Sequence, residues 1–425
     1  MTDTTPPFET HQPVPVIPVI ESLYFVRDNF GIPPATQAID VVRLAALKRA
    51  MQGSDYYWLR AFEAPKEERE HFLGTKAGRK LNLRINDSRL TAQAAVVDQK
   101  VLHGILLRAC GLGAPRVQAL LEPRQRLGDI PALATAADIA HFLREQAVYP
   151  LFGKPIEGSL SVGCLSIERL DREADAVALL GRGTVGVDKV AHDIVAHYGP
   201  TGYVFQDRIA QHPDMARFCG DTVGTVRIVT LREADGTRPL YAVWKMARPA
   251  AVADNFWREG NMLGAVNVET GAVERVQMGV GVRAVEVTEH PDTGDAVTDI
   301  RLPLWERVCE QVVEAARITP GLRLMGWDVA ITAEGAVMIE ANSSPHHSLY
   351  QMAHKRGILN ADFRPRFDAV IAENEAAAAA RLRRYRQLHR EQRQRKLAAN
   401  RASADLSKAI QRHRPETETA GNDPR

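Results

Sequence analysis

Apolar residues along this chain change period several times, and each change predicts a change of element. Over residues 41–72 they recur every three or four positions, at Val41, Leu44, Leu47 and Met51, the spacing of one face of an amphipathic helix. Residues 98–111 carry a second such stripe at Val101, Ile105, Leu106 and Cys110, with Gly111 and Gly113 placed to stop it. The run PALATAADIAHFLREQ predicts another helix, and VYPLFGKPI a short strand opening a new subdomain near Val148. Over residues 202–349 the pattern turns to short runs, GYVFQ, GTVRIVTL, RPLYAVWKMA, MLGAVNV and GAVERVQ, punctuated by DG and TG pairs. That pattern predicts mostly antiparallel sheet. One helix interrupts it at about 303–318, with Val308, Val312 and Ala316 on one face and Pro320-Gly321 as its stop. Prolines over residues 1–20 predict an extended start, since each removes a backbone donor and restrains its predecessor. Residues 366–412, rich in Ala, Arg, Gln, Glu and Leu, predict a terminal helix.

Composition narrows the class. With 45% hydrophobic and 25% charged residues the chain reads as globular, and 425 residues exceed one hydrophobic core, so two or three subdomains are expected. Charged residues interrupt every apolar run before the roughly 20 positions a membrane span needs. The N-terminus has acids and prolines where a secretory signal has a basic start, which points to the cytoplasm. Cys110, Cys164, Cys219 and Cys309 lack the paired spacings of zinc sites or redox dithiols. Positive charge is local: residues 381–414 hold twelve Lys or Arg against two acids, so the remainder is net acidic. Without interleaved aromatics, that tail reads as a solvated helix or one facing a partner subunit or anionic surface, with nucleic acid the lesser alternative.

Candidate chemistry concentrates in GWDVAITAEGAVMIEANSSP. In its first strand Trp327, Val329 and Ile331 point one way and Asp328 the other, with Gly326 and Ala330; in the second, Met338, Glu340 and Asn342 share a face opposite Val337, Ile339 and Ala341. A hairpin centred on Glu334 sets Asp328 across from Glu340. Two opposed carboxylates repel, so a cation between them resolves the pair, and carboxylate and amide oxygens suit magnesium. The plain alternative is a hairpin whose polar residues face water.

This segment resembles the metal-binding end of the ATP-grasp fold, in particular the sugar-transfer-associated branch, over about residues 97–350. The resemblance implies an α+β fold of two subdomains gripping ATP, with an N-terminal helical region and a C-terminal basic helix. It divides the chain into 1–95, extended and helical; 96–147, the first part of the grasp unit; 148–206, the lid; 207–362, the catalytic and metal-binding part; and 363–425, the basic tail. It implies two Mg2+ ions at Asp328, Glu340 and Asn342. In FGKPIEGSLSVG, Lys154 matches the family's phosphate lysine, followed by a loop of Gly158, Ser159, Ser161 and Gly163 whose backbone N–H groups suit phosphate oxygens. Lys100, in DQKVLHGILLRACGLGAP, matches its second nucleotide lysine. GYVFQDRI is similar to the hinge strand that reads adenine and ribose, giving Gln206, Asp207 and Ile209. Arg227 and Lys245 match cleft-facing bases; the planar fork of Arg227 suits an oxyanion. DNFWREGNMLGAVNVETG is similar to a loop of the branch, but Asn261 stands where glycine is commoner, and in SSPHH a glycine is replaced. His346 and His347 there either tune substrate choice or form a satisfied structural pair.

The implied activity is that of an ADP-forming carboxylate–amine ligase. A small-molecule or sugar-linked carboxylate is activated as an acyl phosphate and opened by an amine or hydroxyl nucleophile, in envelope or polysaccharide modification or small-molecule biosynthesis. One alternative is a kinase of a sugar or alcohol. Another is a dinucleotide-dependent oxidoreductase, because GRGTVG, with Gly181, Gly183 and Gly186, follows the run DAVALL and precedes a helix. No G-x-x-x-x-G-K-[ST] occurs, and HREQRQ lacks the catalytic Asp and Asn of a kinase loop.

Overall fold

The computed structural model describes residues 5–11, 17–47, 49–122, 127–158, 161–249 and 251–412. The chain forms two compact units, Met1–Ile371 and Ala372–Arg425.

In the first unit the N-terminal part is helical: α1 (Val19–Phe30), α2 (Pro34–Ala46), α3 (Gly53–Trp58) and α4 (Thr75–Ile85). The continuous helix expected over 41–72 is broken. Ala50 and Arg60 take left-handed φ values of 46° and 52°, which fold the chain back on itself. That return lets Met51, Tyr56, Tyr57, Phe62 and Phe72 share one core with Val26 and Leu44. A single straight helix would leave most of that apolar surface in water.

Next come α5 (Ala94–Asp98) and α6 (Lys100–Ala109), the latter ending as expected at Gly111, with φ 77°. The buried face of α6 differs from the expected stripe: Val101, His103 and Leu107 are buried and Cys110 is exposed. The helix lies between two cores, Val101 joining Leu120 and Val204 while Leu107 joins the large second-sheet core, so its apolar face is split. Helix α7 (Ala136–His141) opens on a capping box between Thr135 and Asp138.

The first sheet contains β1 (Val117–Leu121), β2 (Ala132–Leu133), β3 (Leu151–Pro155), β4 (Leu165–Asp171), β5 (Ala176–Leu179), β6 (Gly183–Gly186) and β7 (Tyr203–Asp207), ordered β2-β1-β7-β3-β4-β5-β6. The run GYVFQ therefore belongs here and not with the strands that follow it, since β7 pairs with both β1 and β3. Strands β5 and β6 form an antiparallel hairpin with Leu179 opposite Gly183, so Gly181 and Gly183 shape a turn while Gly186 ends β6 opposite Ala176. A dinucleotide fingerprint needs a parallel β-α-β unit, and β7, after helix α8 (Val187–Tyr198), pairs only antiparallel. The oxidoreductase alternative loses its basis.

Helix α9 (Pro213–Cys219) leads into the second sheet. Its strands are β8 (Val226–Glu233), β9 (Gly236–Met246), β10 (Met262–Val266), β11 (Ala272–Met278), β12 (Val285–Glu286), β13 (Ile300–Arg301), β14 (Leu324–Thr332) and β15 (Gly335–Asn342). All pairings are antiparallel, in the order β12-β11-β10-β9-β8-β14-β15 with β13 beside β11. One face packs Ile228, Ala242, Trp244, Trp327 and Ile331 against α10 (Trp305–Ile318). The opposite face puts Val243, Leu263 and Ala265 against the N-terminal helices and α11 (Ser348–Ala353). Alternation thus sends every second residue of β8, β9 and β14 away from α10, and the candidate site lies on that side.

An N-terminal segment links the two sheets. Phe8 is buried in the first sheet's core, while the Glu9 carboxylate meets Arg182 at 3.1 Å and Arg258 at 2.5 Å. The last helix, α12 (Arg364–Arg412), carries the basic run, as expected. Among the described residues no helix is long and apolar enough to cross a membrane.

Candidate active site

The hairpin of β14 and β15 supplies the acids. It turns through Ala333 and Glu334, half a position from the expected centre, pairing Thr332 with Gly335 and Val329 with Met338. A bulge at Ile339 then restores the expected opposition of Asp328 and Glu340. The bulge also corrects the faces: Met338 packs in the core with Ala336, whereas Ile339, Glu340 and Asn342 line the cleft. Without the extra residue Asp328 would face Ile339.

Asp328 is 8% exposed and is held from the adjoining strands. Arg227, directly opposite it on β8, donates from Nε at 2.5 Å and Nη2 at 2.8 Å, and Lys245 on β9 approaches at 3.3 Å. Burial by itself would raise the Asp328 pKa, but the charges of Arg227 and Lys245 outweigh it and hold the carboxyl well below the usual carboxylate range. Lys245 also meets Asp254 at 3.1 Å; burial disfavours its charge, and the two carboxylates overcome that and raise its pKa. The opposed acids are thus neutralised in part by the protein's own bases.

Lys100 reaches across to Glu340 at 3.3 Å and donates to the Gly158 carbonyl at 2.8 Å, tying the hairpin to the start of the glycine loop. Lys154 lines the same cleft; burial lowers its pKa, with Glu340 acting against that. Gly158 and Ser161 also line it, while Gly163 does not. Gly163 instead donates its N–H to the Glu9 carbonyl, and a Cβ there would lie 2.2 Å from the Tyr198 hydroxyl, so any larger residue would force Tyr198 to shift. Ser159 lies outside the described residues.

On the hinge strand Gln206 and Ile209 line the cleft, but Asp207 is turned away, bound by Arg116 at 2.9 Å and by Gln118 at 2.7 Å. The residue that faces the cleft beside Gln206 is Arg208, two positions on, as strand alternation requires. Asp254, also missed, accepts from the Thr225 backbone and hydroxyl. The departure at Asn261 has a structural use: its amide oxygen accepts from the Arg248 N–H and its amide nitrogen donates to the Asn255 carbonyl, closing the loop over residues 251–261.

The two histidines separate. His346 lines the cleft, with Nδ1 2.6 Å from the Ser348 hydroxyl. His347 is buried between the Tyr241 hydroxyl at 3.0 Å and Asn82 at 2.7 Å, a satisfied structural residue. Burial and then neighbouring His346 push its pKa down to about 3, and burial takes His103 to about 4. Both regain a value of about 6.5 on unfolding, so only the unfolded chain takes up their protons between those limits. Stability from this source is complete above about pH 6.5 and falls as pH drops below it. Urea midpoints of the His347→Gln variant should decline less steeply than wild type between pH 6.5 and 4.5; parallel profiles would remove His347 from the account.

Asp328, Glu340, Asn342, their four basic neighbours, Gln206 and His346 line one cleft of about 840 Å³ that also holds Trp58, Trp257 and Asp55. A family model of the sugar-transfer associated ATP-grasp proteins matches residues 78–364. The chain belongs to that family. Its fold is accordingly the ATP-grasp α+β fold, with a helical N-terminus and a long C-terminal helix. No curated protein shows a matching sequence. Similar solved structures include the ATP-grasp ligase PsnB complexed with a minimal precursor, at 17% identity and a TM-score of 0.35, with 67% of this chain and 64% of that one covered. The D-alanine-D-alanine ligase from Coxiella burnetii shares 12% identity at a TM-score of 0.41, covering 71% and 64%. VanG D-Ala:D-Ser ligase from Enterococcus faecalis shares 14% at 0.37, covering 67% and 63%. The chain spans less than two thirds of each of these neighbours.

Proposed function

We propose that this ATP-grasp protein is a Mg2+- and ATP-dependent ligase that activates a carboxylate as an acyl phosphate for attack by an amine. The observation that carries the reading is the convergence of Lys100, Lys154, Arg227, Lys245, Asp328, Glu340 and Asn342 on one cleft from two sheets and helix α6. Four basic side chains beside oxygen donors suit a triphosphate and a hard cation.

The donor set fits magnesium on chemical grounds. Among the described residues no cluster of three His, Cys, Asp or Glu side chains suits a metal, so the set depends on an amide as its third member. Asn342 meets that need, because its buried amide nitrogen has no hydrogen-bond partner and the group is free to turn its oxygen to an ion. Glu340 would hold the ion directly, and Asp328 would join by releasing one of its two basic partners. When bound, magnesium supplies neutralisation of charge on the phosphates.

The chain's own groups do the rest. Lys154 and Lys100 bind phosphate oxygens; Phe152, Gln206 and Ile209, together on the first-sheet wall, flank the nucleotide base. Arg227 spends Nε and Nη2 on Asp328, which leaves Nη1 for an incoming carboxylate. On this reading residues 148–206 act as the lid and 207–362 as the catalytic half. Small-molecule and sugar-linked acids are the substrate classes to try first.

Incubation with ATP, Mg2+ and mixtures of acids and amines should release ADP and phosphate in equal amounts. ADP without phosphate would identify a kinase instead. Lys154→Ala should weaken ATP binding about tenfold, since a charge-assisted hydrogen bond contributes about 1.5–3 kcal/mol; unchanged nucleotide affinity would displace Lys154 from the phosphates.

A further inference from the structure

Helix α3 brings Ser54, Asp55 and Trp58 to the cleft wall, and the loop between β9 and β10 brings Trp257 to meet them. The two indole rings lie 4.8 Å apart between centroids. Every other half-buried or buried acid that lines the cleft has a basic partner: Asp254 has Lys245, Asp328 has Arg227 and Lys245, and Glu340 has Lys100. Asp55 is the exception among the described residues. It accepts the backbone N–H of Gln52 at 3.1 Å and that of Thr75; burial raises its pKa, these bonds and then the charges of His346 and Lys76 act against that, and among the described residues no Lys or Arg forms an ion pair with it. Burial, then Arg227 and Arg79, lower the His346 pKa, with Asp55 acting against them. A carboxylate with no ion-pair partner, an imidazole and two indole rings make a corner suited to a cation.

We propose that Asp55, Trp58, Trp257 and His346 form the docking subsite for a primary ammonium group, the nucleophile of the proposed ligation. The nucleophile role rests on the ligase reading; the subsite itself rests on the geometry. An ammonium there has two acceptors and two indole rings beside α3. Asp55, Trp58 and Ser54 also precede the family-matched range that begins at residue 78, so this subsite is built by a part of the chain outside that range.

Tryptophan fluorescence of the full chain, titrated with butylammonium chloride and with butan-1-ol, tests the idea. Wild type should respond saturably to butylammonium and weakly to the alcohol. Asp55→Asn keeps an oxygen to accept the Gln52 and Thr75 N–H groups, so α3 should survive, and its dissociation constant for butylammonium should rise at least about tenfold. Equal affinity in wild type and Asp55→Asn, or an equal wild-type response to the alcohol, overturns the subsite. If Asp55→Asn fails to fold by circular dichroism, Trp257→Leu takes its place, again with a several-fold loss expected and unchanged affinity overturning the proposal. The two readings separate in the same experiments. Butylammonium binding with no ADP from any acid–amine mixture defeats the ligase alone, while ADP formation with undiminished amine affinity in Asp55→Asn defeats the subsite alone.

Discussion

Glu340→Gln should reduce ADP release by about 10³-fold, the scale of losing one preorganised electrostatic group at a reacting centre. The substitution keeps the side chain's size and removes only its charge. Its structural cost is small, because the Glu340–Lys100 pair sits at 3.3 Å with both side chains partly solvated, 29% and 19% exposed, and such pairs contribute about 0–1 kcal/mol. Urea resistance should therefore match wild type within about 1 kcal/mol while turnover collapses. The catalytic loss has a specific origin: the amide cannot neutralise a divalent ion, and Lys100, freed of its partner, would draw the phosphates toward itself. ATP affinity should change far less than turnover. A variant with wild-type turnover would take the metal site away from β15, and with it the main support for phosphoryl transfer in this cleft.

What the sequence discloses and what it hides follow from the reach of each interaction. The β14–β15 hairpin is legible because period-two alternation is local; its turn lies half a position away from the expected place, and the bulge at Ile339 makes good the difference. No pattern announces that bulge, so the misplaced face of Met338 was unavoidable from spacing alone. The hinge strand misleads for another reason. Tyr203, Val204, Phe205 and Gln206 are all buried, so β7 shows no polar alternation to say whether Asp207 or Arg208 faces the cleft. The break after α2 depends on left-handed Ala50 and Arg60, which ordinary residues adopt only because distant packing at Val243, Phe256 and Leu263 makes use of the return. Asp55 and Trp58 carry no motif; their meaning comes from Trp257 and His346, some two to three hundred positions away.

Arg227→Met should destabilise the first unit by about 3 kcal/mol and also depress turnover, because it strips a buried carboxylate of its bidentate partner. Both side chains of the Arg227–Asp328 pair are 11% exposed, so water cannot replace the lost donors. Lys245 remains at 3.3 Å from Asp328, which keeps the cost toward the lower end of the roughly 3–5 kcal/mol typical of breaking such a pair. Methionine preserves the aliphatic bulk, so the loss reports charge and hydrogen bonding rather than a cavity. The double variant Arg227→Met with Asp328→Asn separates the two effects: neutralising the stranded acid should return much of the stability but none of the activity. The pH profile carries the sign of the same pair. With Asp328 held below its unfolded value of about 3.9, its contribution is complete above that value and is lost as pH falls through the depressed native one, so wild type and Arg227→Met should converge in acid. Urea denaturation of the four chains in the cycle, repeated at neutral and acid pH, measures the coupling; additive single effects would mean that Arg227 and Asp328 act independently, and the account of how β8 and β14 hold the site together would have to be abandoned.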